Sequence, residues 1–170
     1  MKELYDAIRT IPDFPKKGVL FRDITPLIRD GHLFTKTIEL FSENIPEETT
    51  KIVAIESRGF IFGGAVACKT NMGFVPIRKF GKLPCKTIKY TYSLEYGQDI
   101  IEIPADSFEN GEKVVLIDDV LATGGTANAA CSIIESAGAK ISRILFLVEL
   151  KDMKGREKLT KYNIYNILTL

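Results

Sequence analysis

Val114-Val-Leu-Ile-Asp-Asp-Val-Leu-Ala-Thr-Gly-Gly-Thr126 is the stretch on which the reading of this chain turns. Val114, Val115, Leu116 and Ile117 form a short apolar run of the kind buried on both faces of a parallel sheet. Two adjacent carboxylates, Asp118 and Asp119, follow, and then small residues lead into a helix expected over 126–137, with Gly138 at its C-cap. In open α/β sheets, ligands sit beyond the carboxyl ends of the strands. The turn there presents unhindered backbone N–H groups at Ala122, Thr123, Gly124, Gly125 and Thr126, a helix N-terminus, and the hydroxyls of Thr123 and Thr126. Together these suit a phosphate monoester. A Walker-type loop needs a Lys before its Ser/Thr, and a dinucleotide turn needs spaced glycines, so both fit worse. The paired acids would repel a phosphate and must face something cationic or rich in hydroxyls. A sugar diol, a Mg²⁺-bound substrate or a positively charged transition state would each serve. A sugar 5-phosphate reacting through an oxocarbenium-like centre satisfies every part, and the residues alone reach no further than a phosphorylated sugar.

Outward from this stretch, short β-branched runs alternate with helical patterns. Strands are expected over 51–55, 74–77, 114–117, 141–150 and 162–168, with Pro76 read as a strand end. Helices are expected over 2–9, where Leu4, Tyr5 and Ile8 share one side, over 31–44 behind an Asp30 N-cap, and over 60–69. This alternation predicts an α/β fold with a mostly parallel sheet of about five strands flanked by helices. Residues 78–103 break the rhythm: strands over 87–92 and 100–103 read as an antiparallel, flexible flap on that core. A single domain over 1–170 is expected, with a small hood over about 1–30.

Composition narrows the class. The chain has 170 residues, with 23 Lys plus Arg against 22 Asp plus Glu and a net charge of +1, so no whole-surface field draws nucleic acid or an anionic membrane. No run approaches the roughly 20 apolar residues of a membrane span, and the first residues lack the apolar stretch of a secretory leader. Three widely spaced cysteines, Cys68, Cys85 and Cys131, build no disulfide framework and no Cys-X-X-Cys site, which fits a reducing cytoplasm. Cys68 and Cys131 fall on expected helices and read as small core residues. The lone histidine, His32, reads as a surface or capping residue.

The thirteen-residue stretch resembles the phosphoribosyl pyrophosphate (PRPP) motif of type I phosphoribosyltransferases. Four further segments resemble the adenine-specific branch of that family: Asp13-Phe-Pro-Lys-Lys-Gly-Val-Leu-Phe-Arg-Asp-Ile-Thr-Pro26, Glu56-Ser-Arg-Gly-Phe60, Arg78-Lys-Phe-Gly-Lys-Leu-Pro84 and Tyr92-Ser-Leu-Glu-Tyr-Gly97. The resemblance implies a type I phosphoribosyltransferase core and a reaction joining adenine N9 to C1 of PRPP, giving AMP and pyrophosphate. Mg²⁺ would arrive on PRPP, with no direct protein ligand assigned, and the chain would act as a homodimer in purine salvage. It further implies that the turn 122–126 holds the 5-phosphate and that Asp118 and Asp119 meet the ribose hydroxyls and balance charge at C1. Ser57 and Arg58 would contact the diphosphate, joined by Arg78, Lys79 and Lys82. Leu20, Phe21 and Arg22 would bind adenine, Glu95 would manage the purine proton, and Tyr96 would pack over the site. Phe80 and Cys85 depart from the proline and glycine common in relatives. Two alternatives stay open: a phosphoribosyltransferase for hypoxanthine, guanine or xanthine, and a PRPP- or purine-sensing regulator. The latter lacks the basic footprint of a DNA-binding module.

Overall fold

The chain opens with α1 (Lys2–Asp6), a two-stranded antiparallel hairpin of β1 (Arg9–Pro12) and β2 (Leu20–Asp23), α2 (Thr25–Arg29) and α3 (Gly31–Ser42). The computed structural model describes residues 1–94 and 97–170. Leu4 and Ile8 are buried as expected, but Tyr5 is exposed, and the first helix stops at Asp6 because Arg9 pairs with Asp23. Asp30 caps α3, accepting hydrogen bonds from the backbone N–H groups of His32 and Leu33 at 2.9 and 3.1 Å.

Alternation begins at β3 (Lys51–Ile55), followed by α4 (Gly59–Thr70), β4 (Gly73–Lys79), the hairpin strands β5 (Thr87–Leu94) and β6 (Gly97–Pro104), β7 (Lys113–Leu121), α5 (Gly125–Ser136), β8 (Lys140–Glu149) and β9 (Ile164–Thr169). The sheet has seven strands in the order β5-β6-β4-β3-β7-β8-β9. Its five-strand stretch from β4 to β9 is parallel throughout, and β5 and β6 extend it antiparallel from β4. The expected five parallel strands are therefore present, and the expected flap is continuous with them in one sheet.

Side-chain alternation divides the core in two. Val53, Ile55, Val114 and Leu116 point to one face and pack with Ala130, Ile133 and Ile134 of α5. Ile52, Val115 and Ile117 point to the other, against Phe62 and Val66 of α4 and Phe41 of α3. A strand covered on both faces must be apolar at every position, which is why these runs are continuous.

Pro76 does not end its strand. Ile77 C=O accepts from Glu56 N–H, so Ile77 faces β3 and Pro76 turns its missing donor to the other side. On that side β6 pairs only with Arg78 and Lys79, and the same register would set Pro76 opposite Pro104. Two residues without N–H close the ladder where the hairpin departs. Gly138 lies one residue past the α5 cap, Ala137, with φ +93°. Cys131 is buried in α5 as expected, whereas Cys68 lies on the outer side of α4 and is exposed, which corrects its reading as a core residue.

Candidate active site

β3 and β7 are neighbours, yet the chain leaves them in opposite directions across the sheet, through α4 to β4 and through α5 to β8. At such a reversal the two following loops part and leave a crevice at the carboxyl ends. A cavity of about 390 Å³ lies there, lined by residues 55–58 after β3 and by 118–127 at the end of β7 and the start of α5. Ser57, Arg58, Asp118, Asp119, Ala122, Thr123, Gly124, Gly125 and Thr126 are thus brought together. Gly124 sits at the α5 N-cap with φ +74°, a left-handed conformation that a side chain would oppose, and its C=O accepts from Asn128 N–H at 2.9 Å. The turn thereby presents the amide end of a twelve-residue helix to the cavity.

The two acids sit differently. Asp118 Oδ1 accepts from the N–H of Asp119 at 2.9 Å. Burial, and then the charge of Asp119, push the Asp118 carboxyl well above the usual carboxylate range. Asp119 is almost wholly enclosed, and burial raises its carboxyl too, with the Arg58 guanidinium pulling the other way. Arg58 Nε stands 2.8 Å from Asp119 Oδ2, but without the alignment of a hydrogen bond, so this buried oxygen is left without an aligned donor. Arg58 also lies over the Phe21 ring, 5.1 Å from its centroid.

A family model described as a phosphoribosyl transferase domain matches residues 30–169. The chain belongs to the phosphoribosyltransferase family. Adenine phosphoribosyltransferase of Christiangramia forsetii is 50% identical to it over 98% of both chains. The namesake from Carboxydothermus hydrogenoformans is 47% identical over 98% of this chain and 96% of its own. Among solved structures, adenine phosphoribosyltransferase of Thermoanaerobacter pseudethanolicus superposes with a TM-score of 0.95 at 44% identity, covering 99% of each chain. The Saccharomyces cerevisiae enzyme, solved with an imino-altritol bisphosphate and adenine, gives 0.91 at 40% identity over 97% of this chain and 96% of its own.

Among the described residues, the remaining candidates of this phosphoribosyltransferase are not part of the cavity lining. Arg78, at the end of β4, pairs with Glu56 at 2.7 Å and donates to the Lys82 C=O at 2.9 Å. Lys79 pairs with Asp99 at 3.3 Å. Lys82 is held through its main chain, because Glu102 Oε1 accepts from the N–H groups of Lys82 and Leu83, both at 3.1 Å. Burial alone would raise the Glu102 carboxyl, but the Leu83 N–H, the Thr87 hydroxyl and the Lys82 N–H together hold it below its ordinary value. Phe80 lies under the Lys89 ammonium, 4.3 Å from ring centroid to nitrogen, and Cys85 is exposed.

In the hood, Phe21 reaches Arg58 and packs edge-on against Phe14 at 5.1 Å, while the Arg22 guanidinium bonds Thr10 and turns away from the cavity. Leu20 is exposed. Pro12 stands opposite Leu20 and has no N–H, so that pair cannot exchange two hydrogen bonds. By alternation, Leu20 and Arg22 turn their main-chain N–H and C=O groups off the free edge of the hairpin. Glu95 and Tyr96 lie outside the described residues.

Sequence reasoning missed several supports. Gly59 opens α4 where any Cβ would stand 2.9 Å from Asp118 Oδ1, so only glycine lets this helix approach the acid. Glu102 had a signal, being a lone carboxylate within the apolar strand Ile100-Ile-Glu-Ile103. Glu56 and Asp99 had none, since ion pairing across strands depends on register.

Proposed function

We propose that the chain transfers the 5-phosphoribosyl group of PRPP to N9 of adenine: the C1–N9 bond forms, the C1–pyrophosphate bond breaks, and AMP and pyrophosphate leave. The observation that carries this reading is the shared cavity in which an amide-lined turn, 122–126, adjoins the carboxylates of Asp118 and Asp119. Full-length relatives named for this reaction support the choice of base.

The residues divide the work by charge. Backbone N–H groups of 122–126 and the hydroxyls of Thr123 and Thr126 hold the 5-phosphate. Asp118 and Asp119 accept from the ribose hydroxyls and balance the positive charge that grows at C1 as the leaving group departs. The Asp119 oxygen without an aligned partner becomes an acceptor for one hydroxyl as Arg58 turns to the diphosphate. Ser57 and Arg58 take the diphosphate, which competes with Asp119 for the guanidinium. Arg78, Lys79 and Lys82 add positive charge on the diphosphate side, and Arg78 also ties Glu56 to the Lys82 carbonyl. Phe21 stacks on adenine while the free main-chain edge of Leu20 and Arg22 reads its rim, and Tyr96 covers it. Glu95 takes the role of accepting the N9 proton.

A divalent ion would arrive on PRPP, with no direct protein ligand assigned and the Asp118 and Asp119 carboxylates nearby at the sugar. Mg²⁺ so carried neutralises the diphosphate and makes it a better leaving group. We place the active chain in the cytoplasm, consistent with the cysteine usage, and as a homodimer, as the family resemblance implies; no helix among the described residues is long and apolar enough to cross a membrane.

Conversion of radiolabelled adenine to AMP tests the reaction. Product should form only with PRPP and Mg²⁺ both present, and adenine should outcompete guanine and hypoxanthine. Faster use of guanine would reject the base assignment, and no product with any base would reject the enzyme.

A further inference from the structure

Residues after β8 take no part in the chemistry above, yet they touch its phosphate turn. Leu150 N–H donates to the Leu121 C=O and Lys151 N–H to the Leu170 C=O, both at 2.9 Å, so the segment is stitched to the carboxyl ends of β7 and β9. It then forms two 3₁₀ turns, Lys151–Met153 and Gly155–Leu159, joined by Lys154 at φ +53°. That left-handed residue drives Gly155 inward. Gly155 is buried, and Leu159 anchors the second turn in the core cluster shared with α5.

Gly155 meets the 122–126 turn backbone to backbone. A Cβ on Gly155 would overlap the Ala122 carbonyl oxygen and stand 2.9 Å from both Gly124 N and Leu121 Cδ1. A Cβ on Gly124 would overlap the Gly155 carbonyl oxygen in return. No rotamer relieves either clash, because the neighbours are main-chain atoms.

We infer that Gly155 is a positioning residue: the 3₁₀ turn it opens is a brace that sets the 122–126 amides for the substrate 5-phosphate, an inference that rests on the phosphate reading above. A turn whose donors must point at one phosphate gains affinity by being fixed before the ligand arrives. The brace supplies that fixity from behind, through contacts only glycine permits. The contacts Gly155 makes fall on Leu121, Ala122 and Gly124, the phosphate side of the cavity, so its effect is expected at that end of the substrate.

The test separates the two ends. In the full-length protein, Gly155→Ala should raise the KM for PRPP and the Kd of ribose 5-phosphate about tenfold each. The Kd of pyrophosphate and the KM for adenine should stay within about twofold, a split that general loss of structure would not produce. Unchanged ribose 5-phosphate binding, or equal losses for every ligand, overturns the inference. Should Gly155→Ala fail to fold, Lys154 offers a second route, being exposed and away from the cavity. Lys154→Val opposes the left-handed φ and should weaken ribose 5-phosphate about threefold, whereas Lys154→Gly should bind it as the native chain does. Equal behaviour of those two variants sinks the brace. Thr126→Val separates the failures: if it leaves ribose 5-phosphate binding untouched, the phosphate reading itself is wrong. If it weakens binding while Gly155→Ala does not, only the brace is.

Discussion

The parallel strands and the two hairpins contribute to this site in different ways. β3 and β7 place Asp118, Asp119, Ser57 and the 122–126 turn directly on the cavity, from strands buried on both faces. The hood hairpin reaches it at one remove, through Phe21 against Arg58, and the β5–β6 hairpin stands further off, with Asp99 on Lys79 and Glu102 on the Lys82 main chain. The contrast teaches a division of labour. The paired acids and the small-residue turn sit at the ends of strands covered on both faces, where backbone motion is costliest. Substitutions in the core should therefore move kcat, and those in the hairpins should move KM.

The largest break expected is at the acids. Asp119→Asn should lower kcat by about two to three orders of magnitude, in the range seen when one preorganised charge-stabilising group is removed. Asp118→Asn should do likewise and also raise the melting temperature near neutral pH, since burial disfavours the charged form of this carboxyl and an amide has no such form. A variant that loses no turnover would place the chemistry elsewhere. At the hood, Phe21→Ala should raise the KM for adenine up to about tenfold, matching the ~0.5–1.5 kcal/mol of an aromatic stack, with the KM for PRPP unmoved. Steady-state kinetics with each substrate varied would show a reversed pattern if Phe21 served the diphosphate instead.

At the second hairpin, Glu102→Ala strands two backbone donors and the Thr87 hydroxyl. It should destabilise the fold by about 1–3 kcal/mol in urea titrations and raise the KM for PRPP a fewfold, by about threefold, as Lys82 loses its anchor. The pH dependence of stability separates the two regions further, because their acids are displaced in opposite directions. Asp23, in the hood, is lowered from 3.8 to about 2, chiefly by the Thr25 hydroxyl and N–H and then by Arg9. Its contribution is fully present above pH 3.8 and is lost as pH falls toward 2. Asp118 is raised, so its protonated form is favoured by folding, and that contribution fades as pH climbs from 3.8 through the raised value. Melting curves against pH should lose the acid limb in Asp23→Asn and the upper limb in Asp118→Asn. The smallest effect expected is chemical: a maleimide should label exposed Cys68 and Cys85 and spare Cys131, whose thiol burial pushes up to about 12.

Legibility in the sequence followed the same division. The run 114–117, the paired acids and the small-residue turn could be read directly, because buried strands must be apolar throughout and a phosphate turn must be small. The α3 cap at Asp30 was equally local. Cys68 was misplaced because a helix period does not say which side faces the sheet when the helix is apolar nearly all round, as Gly59-Phe-Ile-Phe-Gly-Gly-Ala-Val66 is. Pro76 was read as a strand end because its neighbour across the gap, Pro104, lies far along the chain.

From the amino-acid order alone came the α/β class, the paired acids at a strand end and the small-residue turn that opens a helix, since each depends on composition and spacing within a dozen positions. Register and long-range contact decided the rest: the fusion of flap and core into one sheet, the Arg58–Asp119 pairing, and the meeting of Gly124 with Gly155. Those features join residues tens of positions apart, and no local pattern encodes which backbones will touch once two faces of a sheet have been packed.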